Sequence, residues 1–178
     1  MKPMNSRILS QLINLTTQAG EIIMDLRDNS TNYSIKADNT PLTLADKASH
    51  ELIVSKLQKL TPNIPILSEE SSHIPFSTRK SWNEYWLIDP LDGTRDFIDG
   101  SPDFCISIAL IRGHYPSFGL IYSPFNKVHY YRLENSPSLK LVNKKTFEIL
   151  TTKPKRWEKI VVGRYSTNNK GLKEHLKH

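Results

Sequence analysis

The chain has 178 residues, 38% of them apolar, with 24 Lys+Arg against 18 Asp+Glu for a formal charge of +6; this suffices for one domain with a core, or one domain plus part of a second. No run approaches the roughly 18 apolar residues of a membrane span, and Ser, Gln, Asn and Thr interrupt the first apolar segment, so neither a span nor a signal sequence is expected and a cytoplasmic protein is. The single cysteine, Cys105 within FCISIALI, excludes an intramolecular disulfide and reads as a small buried apolar side chain.

Ile8, Leu12, Leu15, Ala19, Ile22 or Ile23, and Leu26 recur at spacings of four and three, which predicts an amphipathic helix over about residues 6–27. YSIKADNTP reads as a short extended segment and a turn punctuated by Asn39 and Pro41. A second helix, TLADKASHELIVSKLQKL, begins at Thr43 and stops before Pro62. Asp46, three residues after Thr43, has two compatible readings. It is the acidic partner of a capping box, a cap worth about 0.5–2 kcal/mol, or a carboxylate that helps hold a metal-bound water.

IPILSEES follows as a short apolar strand running into Ser68, Glu69 and Glu70, and YWLIDPLD runs into Asp89 and Asp92 in the same manner. The latter reads as a strand end at Asp89 followed by a tight acidic turn. Pro90 fixes φ and removes a donor, and two carboxylates three residues apart do not belong in a buried strand unless something positive neutralises them. If the two strands are neighbours, Glu69 and Asp89 reach one ion, and oxygen-only ligands select a hard cation such as magnesium.

Phe104, Ile106, Ile108 and Leu110 alternate with Cys105, Ser107, Ala109 and Ile111 in a strand read as largely buried on both faces. FGLIYSPFNKVHYYRLE predicts a hairpin turning near residues 123–127, and LKLVN and FEILTT supply two strands around an Asn-Lys-Lys turn. The fold class is therefore α+β, with two N-terminal helices packed on one face of an antiparallel sheet. KIVVG and GLKEHLKH begin a new strand and helix, so residues 1–158 are expected to form one domain and residues 159–178 the start of a second, truncated α/β domain. Positive charge concentrates after residue 140 without aromatic interleaving, so a solvated surface is expected there rather than a nucleic-acid partner. Apart from His175 and His178 near the terminus, none of the six histidines pairs with another at metal-ligand spacing.

Glu69, Asp89, Asp92 and the Leu91 carbonyl could together hold two hard cations bridged by Asp89, an arrangement that stabilises the attacking and leaving oxygens of a phosphoryl displacement. Gly93 lets a phosphate approach the backbone, Thr94 offers a hydroxyl, and amides opening a following helix could bind phosphate oxygens. Phosphate monoesters suit such a site, since their hydrolysis needs accelerations of up to about 10²¹-fold.

SEES at 68–71, WLIDPLDGTRDF at 86–97 and KADNTPLTLAD at 36–46 together resemble the lithium-sensitive, magnesium-dependent phosphatases that include inositol monophosphatase and fructose bisphosphatase. Within that family, KADNTP, PILSEE and DGTRDF are more similar to the motifs of CysQ-type 3'(2'),5'-bisphosphate nucleotidases, which remove the 3'-phosphate of adenosine 3',5'-bisphosphate, than to those of the inositol enzymes. The resemblance implies an inositol-monophosphatase-like layered sandwich, of which this chain is the N-terminal part. It implies magnesium, two ions in a complete enzyme, and inhibition by lithium. Glu69, Asp89, the Leu91 carbonyl and Asp92 match metal ligands; Glu69, Leu91, Asp92, Gly93 and Thr94 match the phosphate-binding positions. Thr94 and Asp46 match the pair that activates or orients the attacking water, with Glu70 supporting them. Lys36 matches a position near the site, and Arg95 either meets an extra phosphate or is merely solvated.

One departure from the family concerns a Trp-Asp segment of its second domain, whose aspartate completes the second metal site. Here Trp82, Trp86 and Trp157 are followed by Asn, Leu and Glu. Full activity is thus expected to need a segment beyond this chain, and apolar surface between domains would lie exposed and open to self-association. Two other readings stay open: an inositol monophosphatase or sugar bisphosphatase, and an inactive fragment acting as a binding module. A haloacid-dehalogenase phosphatase is excluded because Pro90 occupies the nucleophile's place.

Overall fold

The computed structural model describes residues 5–27, 33–35 and 41–150. Lys36 and the expected second-domain start near residue 159 lie outside them. Helix α1 (Ser6–Asp25) opens at Asn5, whose side chain accepts the Ile8 amide, satisfying one of the donors that a helix start leaves unpaired. The predicted stripe is the buried one, with Leu12, Leu15, Ala19 and Ile23 in the core. Strands β1 (Tyr33–Ile35) and β2 (Pro41–Thr43) pair antiparallel and deliver the chain to α2 (Leu44–Leu60), which packs beside α1.

Seven strands follow in one sheet, each paired with the next in sequence. They are β3 (Ile66–Ser68), β4 (Glu84–Asp92), β5 (Cys105–Arg112), β6 (Tyr115–Ser123), β7 (Val128–Leu133), β8 (Ser138–Val142) and β9 (Lys145–Glu148). The meander from β5 onward is antiparallel as predicted, and the expected hairpin turns carry positive φ at Lys127 and at Asn143 and Lys144. The sheet is nevertheless mixed, because β3 and β4 run parallel. Parallel neighbours need a crossover rather than a tight hairpin, and the connection here includes the short α3 (Phe76–Arg79), which periodicity did not reveal.

A second correction concerns Pro90. Strand β4 does not end at Asp89 but continues through the proline to Asp92, and its register on β5 shifts between Asp89, opposite Ser107, and Asp92, opposite Cys105. A bulge is one of the few places where a strand tolerates a residue without an N–H. The strand therefore ends three residues later than expected, and the tight turn is made at Gly93.

The two faces of the sheet differ. Trp86, Ile88, Ile106, Ile108, Leu110, Phe118 and Leu120 form the core with the helices. On the other face Leu67, Leu87, Ala109, Ile121, Tyr130 and Ile149 line an open hollow of about 750 Å³. Cys105, Ser107 and Ala109 are only half-buried, so β5 is not enclosed on both sides as its composition suggested. Among the described residues nothing covers this face, and Leu87 and Ile121 stay 42% and 46% exposed.

On the helix side, α1 meets the sheet at Gly20. Tyr122 stacks on His129 at 4.1 Å between ring centroids, and burial pushes the His129 imidazole down to about 4, which keeps it neutral. Its Nε2 lies 3.1 Å from the Thr16 hydroxyl, which in turn donates to the Leu12 carbonyl. A Cβ on Gly20 would come within 2.5 Å of Tyr122 Cε1 and 3.1 Å of Pro124 Cβ. Gly20→Ala gains about 1 kcal/mol of helix propensity, but overpacking a locked ring costs about 1–3 kcal/mol. The substitution is expected to lower the melting temperature in a thermal scan; a rise would show that Tyr122 yields freely.

Candidate active site

Thr43 caps α2, its hydroxyl accepting from the Ala45 and Asp46 amides while its own amide donates to Asp46 Oδ2 at 2.7 Å. The predicted capping box is complete. Asp46 is also 1% exposed, and its other oxygen, Oδ1, lies 3.0 Å from the Thr94 hydroxyl. The capping reading holds on one carboxylate oxygen, while the other accepts from Thr94. Thr94 Oγ1 lies 3.1 Å from the Leu91 carbonyl as well. A hydroxyl whose single proton is drawn to these acceptors keeps its lone pairs for a donor such as water.

The turn that places Thr94 depends on Gly93, whose φ of +92° is left-handed and suits glycine. A Cβ there would stand 2.7 Å from the Asp103 carbonyl and 3.2 Å from Phe104 Cα. Helix α4 (Thr94–Ile98) follows, anchored by the buried Phe97 against Phe104.

Parallel pairing brings the two acidic strand ends to the same edge. Ile66, Leu67 and Ser68 face Trp86, Leu87 and Ile88, and the ladder extends one step further because the Glu69 amide donates to the Ile88 carbonyl at 3.0 Å. Asp89 accordingly lies beside Glu69, whose side chain hydrogen-bonds to it. Burial first, then the charges of Glu69 and Asp92, push the Asp89 carboxyl up from 3.8 to about 7, against a 3.1 Å hydrogen bond from the Leu91 amide. Glu70 is not among the groups that raise it. Two carboxyls this close cannot both ionise cheaply, so Asp89 holds on to its proton.

A hard cation would serve the same end as that proton, and the donor set of Asp89, Glu69, Asp92 and the Leu91 carbonyl is all oxygen, which fits magnesium chemically. Among the described residues no group of three His, Cys, Asp or Glu side chains is already disposed to hold a metal ion. The Glu69–Asp89 contact is closed by a hydrogen bond, while Asp92 is exposed and lies 3.9 Å from Cys105 Sγ.

Two residues escaped the sequence reading. Ser49 is fully buried and donates to the Pro90 carbonyl at 2.8 Å, and His50 Nδ1 lies 2.9 Å from Ser68 Oγ. Their signal was present, since they stand three and four positions after Asp46 and therefore share its helix face.

A profile described as the inositol monophosphatase family matches residues 4–176. The chain belongs to that family. It is 40% identical over 134 residues to the 3'(2'),5'-bisphosphate nucleotidase CysQ of Aggregatibacter actinomycetemcomitans, a match covering 75% of this chain and 50% of that protein. The Salmonella typhimurium protein of the same name is 43% identical over 129 residues, covering 71% and 52%. The chain spans about half the length of the curated relatives it matches. Among solved structures, CysQ from Bacteroides thetaiotaomicron aligns with a TM-score of 0.65 at 28% identity, covering 92% of this chain and 67% of that one. These family members share the α+β architecture described above.

Asp89 makes the site's cation demand measurable. Without metal, the folded chain holds this proton more tightly than the unfolded chain, so its contribution to stability is complete below pH 3.8 and is lost as pH rises through about 7. In chelator, the melting-temperature advantage of Asp89→Asn over the unmutated chain is expected to be smallest near pH 4 and to grow toward pH 8. Magnesium should raise the unmutated chain's melting temperature more at pH 8 than at pH 5 and leave Asp89→Asn nearly unmoved. Gly93→Ala, judged by the same scan, should destabilise by about 1 kcal/mol or more, because both its φ and its Cβ space are denied.

Proposed function

We propose that this chain carries the magnesium-binding portion of a phosphatase that removes the 3'-phosphate of adenosine 3',5'-bisphosphate. The observation that carries the reading is the buried Asp46 holding Thr94 beside the Leu91 carbonyl, near Asp89, whose carboxyl burial and the neighbouring Glu69 push up, in a chain similar to CysQ nucleotidases. Phosphoric monoester hydrolysis is the chemistry that this donor set suits.

Glu69, Asp89, the Leu91 carbonyl and Asp92 would hold magnesium, with Asp89 the bridge if two ions bind. Bound magnesium neutralises phosphate oxygens and makes a coordinated water more acidic. Thr94, fixed by Asp46, orients the attacking water and passes its proton toward the buried carboxylate, a role typically worth about 10²–10⁴-fold. Gly93 makes the left-handed turn that presents Thr94 to the phosphate, and Glu70 supports the acidic edge from the turn. The exposed Arg95 offers charge to a second phosphate. Lithium is expected to inhibit by displacing magnesium.

A second reading rests on the hollow across the open face of the sheet. Its apolar lining next to Glu69 and Asp89 suits a binding module that associates through that face, with itself or with further chain. Among the described residues no helix is long and apolar enough to cross a membrane, and a small soluble nucleotide is the natural partner of the acidic edge once it carries magnesium.

Phosphate release from adenosine 3',5'-bisphosphate, inositol 1-phosphate and fructose 1,6-bisphosphate, with and without magnesium, measured on this chain extended to the length of its curated relatives, separates these readings. The nucleotide should be the preferred substrate, and Thr94→Ala should lower kcat by about 100-fold or more with little change in magnesium affinity. Preference for inositol phosphate or the sugar would move the substrate within the family. Binding of magnesium and nucleotide without release would favour the binding module.

A further inference from the structure

Asp46, Ser49 and His50 project from one face of α2, and each reaches a different stretch of the acidic edge. Asp46 takes the Thr94 hydroxyl, Ser49 holds the Pro90 carbonyl between Asp89 and Leu91, and His50 holds the Ser68 hydroxyl immediately before Glu69. The last contact has the most to restrain. Strand β3 has three residues and among the described residues is paired on one side only, by β4, and short edge strands open readily.

Glu69 follows directly, already outside the strand and with an exposed side chain. Two restraints flank its Cα. On its own amide, the Ile88 carbonyl fixes its height along β4; on the preceding residue, the His50 ring fixes the buried Ser68 side chain, and the Ser68 carbonyl then accepts the Ser71 amide that closes the turn. With both in place the Glu69 carboxylate points along the edge at Asp89. With the His50 contact removed, the backbone bonds at Glu69 and Ser71 remain, but the turn loses its side-chain tie to α2 and gains freedom to tilt.

We propose that His50 is a positioning residue that aims Glu69 at the cation site through Ser68; this rests on the reading of Glu69 as a magnesium ligand. His50 does not touch the ion or the substrate. It links the same helix that holds Thr94 to the one acidic ligand carried on the edge strand, so that the water-orienting pair and the cation ligands share a common reference.

The test uses the full chain, magnesium titration by calorimetry, and amide hydrogen exchange in chelator. His50→Ala and Ser68→Ala should each weaken magnesium binding by about 10-fold, the lower end for residues that orient metal ligands. The double variant should lose no more than either single one, because both remove the same contact. His50→Asn, whose amide can occupy the place of Nδ1, should recover most of the affinity. Without metal, the Glu69 amide should exchange faster in His50→Ala while Ile53 and Leu57 in the core of α2 keep their protection. A His50→Ala chain that melts lower but keeps both its magnesium affinity and its Glu69 protection would reduce His50 to a packing role and overturn the inference alone. An unmutated chain that binds no magnesium would overturn the cation reading of the site, and this inference with it.

Discussion

The parallel pairing of β3 with β4 is the constraint on which the rest of the site depends. Every other junction in the sheet is antiparallel, and an antiparallel β3 would have carried Glu69 to the opposite end of β4, far from Asp89. Running the two strands in the same direction stacks their acidic ends side by side, where burial and mutual repulsion make the pair hold a proton or seek a cation. The cost of that juxtaposition falls on Asp89, the more enclosed of the two, and is met in the metal-free fold by a retained proton on Asp89, donated to Glu69.

The second organising element is the first two turns of α2. Thr43 and Asp46 close the helix start upon themselves, an arrangement found in many helices that have no catalytic role. Here the capping carboxylate has one oxygen left over, and the Gly93 turn delivers Thr94 to it. Local helix stability and site geometry are thereby satisfied by a single side chain. Ser49 and His50, next on the same face, hold the Pro90 carbonyl and the Ser68 hydroxyl, so the helix acts as a common support for two stretches, around Ser68 and from Pro90 to Thr94, that are distant in sequence.

Much of this was legible in the sequence wherever the signal was local. The stripe on α1, the cap at Thr43, the stop before Pro62 and the polar turn of Asn143 and Lys144 are each specified within a few residues. The acidic motif also announced a need for compensation, which the raised Asp89 carboxyl bears out. What was not legible depends on partners remote in the chain. Pro90 looks like the end of a strand until the register of β5 shows that a bulge accommodates it. Ser49 and His50 look like ordinary helix residues until Pro90 and Ser68 arrive opposite them. The direction of β3 was equally hidden, since an apolar run of three residues carries no orientation. Asp46 could not be decided by spacing at all, because a cap and a water-orienting carboxylate occupy the same position.

The hollow on the open face of the sheet touches this chemistry at its rim, where Leu67 leads to Glu69 and Leu87 to Asp89. Anything that covers those apolar residues also withdraws water from the acid pair, which strengthens the field the pair exerts on a cation. Under the proposed cation reading, occupation of the hollow and occupation of the acidic edge would be thermodynamically linked, and the linkage would be reciprocal: a partner that tightens the ion is tightened by it by the same factor.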